Sequence, residues 1–100
     1  MDFLLLFLSG ALLCNAIPHL ASGTRGDPFP SPFAKPRGVG NSSPLVNFLW
    51  GSANLFAGTA LMIEYLPEVD LETGVAVAAL GWLVLGAYLS RHFGKVRQGR

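Results

Sequence analysis

Residues 38–63 read GVGNSSPLVNFLWGSANLFAGTALMI, and these 26 residues contain no Asp, Glu, Lys or Arg. About 20 apolar residues in a helix span the roughly 30 Å hydrocarbon core of a bilayer. Backbone groups in hydrocarbon must be satisfied within the segment, so such a run reads as a helix. Ser43 before Pro44 marks the start. A hydroxyl at the N-cap accepts a free first-turn amide, and Pro at the first helical position gives up only an amide without a partner. Pro67 marks the end, which predicts a helix over about 44–66. Asn47, Gly51, Asn54 and Gly58 fall at i, i+4, i+7 and i+11, so they share one stripe. Small residues there let another backbone approach, and the amides can hydrogen-bond across the contact.

Two further uncharged runs flank this one, residues 3–24 and 73–90. They predict helices over about 3–21 and 73–91, and an all-α fold with three membrane-spanning helices. The charged fraction is 13%, about half the usual roughly 25%. Asp2 stands where the basic start of a cleaved signal peptide belongs, and Leu13 precedes Cys14 where a lipoprotein signal needs a small residue, so the first helix reads as uncleaved. Pro18 is expected to kink or end it. In the third helix Gly74, Ala78 and Gly81 form one small ridge, and Ala79, Gly86 and Ser90 another. Helix packing is expected at Gly51, Asn54, Gly58, Gly81 and Gly86. Gly94 reads as a helix stop before the basic tail, 92–100.

Charge is segregated. Arg25, Lys35 and Arg37 lie in the first connection, and Arg91, Lys95, Arg97 and Arg100 follow the third helix. Glu64, Glu68, Asp70 and Glu72 surround the turn at 67–72. Basic residues favour the cytoplasmic side, which predicts the N-terminus outside, the first loop inside, the acidic turn outside and the C-terminus inside. Four basic residues beside a span read as a topology signal and not as a nucleic-acid site. The connection 22–43 is dense in Pro and Gly, and no regular element is expected in it. Phe29 and Phe33, set among Pro28, Pro30 and Pro32, are expected to lie extended at the interface or against the helices.

Asn15, His19, Arg37, Asn47 and Asn54 approach the same side and make a candidate polar pocket for an anionic lipid headgroup or small solute. The competing reading leaves the Asn residues as interhelical glue and the basic residues as orientation signals. GVGNSSP lacks the Lys-Ser/Thr of a phosphate loop and follows no strand, so no nucleotide cofactor is expected. Cys14, His19 and His92 lack metal-ligand spacing, and no metal is expected. No spacing fixes a catalytic partner for His19; Asp27 is the one acid on its side.

The stretch from Asn15 to Asn54, with its N-x-x-P-H-x-x-x-G-x-x-G opening, its FPSPFAKPRGVG loop and its SSPLVNFLWGSANL helix start, resembles small multi-pass inner-membrane proteins of Gram-negative bacteria. The resemblance implies that location and carries no activity. The expected roles are an accessory subunit docking through the Asn47–Gly58 stripe, or a headgroup-binding module, with an integral-membrane enzyme the weakest. Membrane lipid, and a homo-oligomer or a larger membrane protein, are the expected partners.

Overall fold

The computed structural model describes residues 1–99; Arg100 of the expected basic tail lies outside them. Helices α1 (Asp2–Arg25), α2 (Pro44–Tyr65) and α3 (Leu71–Gln98) form the bundle. A single 3₁₀ turn, Leu66–Glu68, joins α2 to α3. All three helices are long and apolar enough to cross a membrane.

Helix α1 is the centre. α2 packs antiparallel on one side of it and α3 parallel on the other, and α2 and α3 scarcely touch. Glycines set the spacing. A Cβ at Gly51 would meet Leu20 and the Ala16 carbonyl, and one at Gly58 would sit 3.0 Å from Ser9 O. On the other seam, a Cβ at Gly10 would overlap Ala78 O and one at Gly81 would overlap Phe7 O. The Ser9 hydroxyl donates to Gly58 O at 2.6 Å across the first seam. Asn47, Gly51, Asn54 and Gly58 are therefore buried within the chain against α1, and this stripe is not free to dock a partner as the sequence had suggested.

Two helices outrun their local signals. Pro18 lies inside α1, which continues to Arg25 and closes at Gly26 (φ 76°), whose amide and that of Asp27 cap the Gly23 and Ser22 carbonyls. Proline removes one helical hydrogen bond, but α1 is held on two sides by its neighbours, and tertiary packing overrides the local penalty. Gly94 does not stop α3, which runs to Gln98. Its last turns rest on the first connection through His92 and Phe93, and Lys95 and Arg97 suit the negative end of the helix.

The expected irregular connection is folded. Strands β1 (Phe29–Pro30) and β2 (Asn41–Ser42) pair antiparallel, Phe29 with Ser42 and Pro30 with Asn41. Ser31 O accepts from the amides of Ala34 and Gly38, Pro36 O accepts from those of Val39 and Gly40, and the Ser31 and Ser42 hydroxyls meet at 2.6 Å. Proline density withdrew donors, but serine and glycine supplied enough partners to close a hairpin. Gly38, like Gly26, has a positive φ, here 68°, and its carbonyl reaches His92.

Candidate functional site

α1 ends, α2 begins and α3 ends on the same side of the bundle, and the hairpin lies across them. Arg25, Lys35, Arg37, Arg91, Lys95 and Arg97 gather there, with Asp27 the one acid. Asp27 is engaged by Arg25 at 3.0 Å, the one ion pair among the described residues. Asp2, Glu64, Glu68, Asp70 and Glu72 occupy the opposite end. Charge segregation along the sequence thus becomes a basic end and an acidic end.

A cavity of about 280 Å³ opens at the basic end. Asn15 and His19 of α1, Trp50 of α2, Tyr88 and His92 of α3, and Ser31 and Arg37 of the hairpin contribute its polar groups. Pro30, Pro32, Leu89 and Phe93 supply apolar wall.

One side chain organises the walls. Asn47, fully buried, sends its Nδ2 to the carbonyls of Phe29 (2.9 Å), Ser42 (3.2 Å) and Ser43 (3.1 Å). It ties both strands of the hairpin to the first turn of α2. Only the amide nitrogen can donate to those carbonyls, so Oδ1 faces His19 Nδ1 at 2.7 Å and accepts its hydrogen. In the neutral ring Nε2 then keeps a bare lone pair. Nε2 has no protein partner among the described residues. Phe29 braces the ring edge-on at 5.6 Å.

Asn15 Nδ2 donates to Asn54 Oδ1 at 3.0 Å, and Asn54 Nδ2 donates to Trp50 O at 2.8 Å. Phe33 packs edge-on against the Trp50 ring at 5.3 Å. Trp50 Nε1 is buried and donates to nothing among the described residues. On the far wall His92 Nε2 donates to Gly38 O at 2.7 Å, and the ring stacks on Tyr88 at 5.9 Å and meets Phe93 edge-on at 5.0 Å.

Of the five residues expected at a site, Asn15, His19 and Arg37 line the cavity. Asn47 and Asn54 stand behind it and hold His19, Asn15 and Trp50. Trp50, Tyr88, His92 and Ser31 were not among the five. Tyr88 and His92 carried a signal, aromatic polar residues at i and i+4 on one face of α3. Ser31 carried none, because only the hairpin brings it there.

No family model, no curated protein and no solved structure matches the chain.

The site is read from its own chemistry. Arg37 offers a guanidinium without an acidic partner among the described residues, Trp50 an unpaired donor, and His19 an unpaired acceptor. Arg37 and Trp50 line the same cavity, and a guanidinium favours anionic oxygen.

Proposed function

We propose that the chain is a three-span protein of a bacterial inner membrane that binds an anionic, oxygen-rich group at the cytoplasmic surface. Length and apolarity of the three helices support the spans. Excess Lys and Arg at one end supports placing that end inside and the N-terminus outside.

The observation that carries the binding role is the orphan Trp50 Nε1. A buried donor left unmade costs about 1–3 kcal/mol. An acceptor oxygen that reaches this N–H relieves that cost, and Arg37 lines the same cavity. Asn15, Asn47 and Asn54 preorganise the walls, so little ordering remains to be done on binding.

Purification in mild detergent followed by native mass spectrometry tests the reading. Wild-type protein is expected to retain an anionic lipid or solute. Arg37→Ala and Trp50→Phe are each expected to lose most of it, the latter while keeping the ring contact with Phe33. Equal retention by wild type and both variants would remove the proposal. For orientation, Asp27→Cys should react with a membrane-impermeant maleimide only after lysis; reaction in intact cells would reverse the topology.

A further inference from the structure

The direction of the His19 hydrogen bond narrows the ligand further, given the anion-binding reading above. We infer that the occupant is a phosphodiester lipid whose headgroup carries a free hydroxyl. The lone pair of His19 Nε2 asks for a hydrogen-bond donor, and an anionic phosphate diester alone has none. Arg37 and the Trp50 N–H ask for acceptor oxygens. A phosphate with a hydroxyl a few bonds away answers all three; a bare phosphate diester answers two.

An ammonium headgroup is the other donor that lipids offer. The basic end opposes it: among the described residues Asp27 is its single acid and is already engaged by Arg25. A positive group entering beside Arg37 would meet like charge and no counter-ion.

Two observations point to a lipid-borne group. The cavity, about 280 Å³, is at or below the small end of the 300–1,000 Å³ range of ligand pockets, and suits a headgroup better than a larger solute. Below it, Leu4, Leu8 and Ala11 precede Asn15 by 11, 7 and 4 positions, so they continue the Asn15 stripe of α1. Leu4 is 64% exposed and Leu8 44%. An acyl chain attached to a headgroup in the cavity has this apolar strip to lie along. A soluble hydroxylated phosphate ester shares the headgroup chemistry and lacks the chain.

Binding of matched short-chain lipids to the detergent-solubilised full chain, read by native mass spectrometry, tests this. Phosphatidylglycerol and phosphatidylethanol carry the same charge and the same chains, and differ in the headgroup hydroxyls. Phosphatidylglycerol is expected to bind roughly tenfold more tightly, the scale of one buried acceptor satisfied or left unpaired. His19→Phe should abolish that preference, so that the two lipids bind alike to the variant. Equal binding of the two lipids by wild type overturns the hydroxyl assignment and leaves the anion site standing. Phosphatidylethanolamine binding as tightly as phosphatidylglycerol also overturns it. Displacement of phosphatidylglycerol by millimolar glycerol 3-phosphate overturns the lipid source. Absence of binding by every anionic probe sinks the underlying anion-site reading itself. The lipid comparison is made on wild-type protein, so it stands even if the His19 variant fails to fold.

Discussion

His19 Nδ1 lies 2.7 Å from Asn47 Oδ1, while the amide nitrogen of the same Asn47 holds three backbone carbonyls of the hairpin and helix start. A single side chain thus fixes the tautomer of a cavity residue and closes the loop that covers it. The two tasks are separable, because one belongs to the oxygen and the other to the nitrogen.

Asn47→Asp separates them. It keeps an acceptor for His19 and replaces the donor with an oxygen facing the Phe29, Ser42 and Ser43 carbonyls. Buried groups left unpaired cost about 1–3 kcal/mol. The hairpin amides of Gly38 and Gly40 are expected to lose hydrogen-exchange protection, and the melting temperature to fall. A variant with wild-type exchange at those amides would show that Asn47 does not hold the hairpin.

The two kinds of glycine in α3 should respond in opposite directions. Gly81→Ala drives a methyl into the Phe7 carbonyl and should destabilise by about 1–3 kcal/mol. Gly94→Ala meets nothing within 4 Å and removes a weak helix former, for a gain of up to about 1 kcal/mol. Thermal melts in one detergent check both; a stabilising Gly81→Ala would contradict the close α1–α3 seam.

His92 and Gly38 clasp the hairpin to α3. His92→Phe keeps an aromatic ring beside Tyr88 and Phe93 but deletes the donor. One hydrogen bond of about 1 kcal/mol corresponds to about fivefold more open loop. Tryptic cleavage after Arg37 should accelerate by that factor. An unchanged cleavage rate would mean that the clasp does not limit opening.

Asp70 caps α3 at the acidic end, accepting from the Thr73 amide at 3.1 Å and the Thr73 hydroxyl at 2.9 Å. The backbone bond first, and the hydroxyl bond second, hold its carboxyl below the ordinary value of 3.8. The ionised form is thus favoured in the folded chain. Its contribution is fully present above the ordinary carboxylate range and fades as pH falls through the lowered folded value. Asp70→Asn still caps but does not titrate there. Acid titration of helicity should show a step below pH 4 that is weaker in Asp70→Asn; identical curves would exclude the cap as its source.

Much of the secondary structure was legible because its causes are local. Ser43 serves as the N-cap that Ser43–Pro44 suggested, and Asp70 caps α3 by the same one-turn rule. Pro18 and Gly94 misled for the same reason: their penalties are local, whereas the contacts that overcome them come from other helices and from the hairpin. The hairpin itself was hidden because its donors and acceptors, Ser31 with Gly38 and Asn47 with Phe29, lie 7 and 18 positions apart in an aperiodic stretch.

The sequence by itself determined three long apolar helices, their polar stripe and the division of charge between two ends, since uncharged runs, capping residues and net charge need no partner to act. Tertiary structure alone decided that α1 is the central helix, that the Asn47–Gly58 stripe is spent within the chain, and that His19, Arg37, Trp50 and His92 meet in one cavity. Those outcomes depend on which backbone groups remain unpaired after the helices form, and only the packed chain settles where each finds its partner.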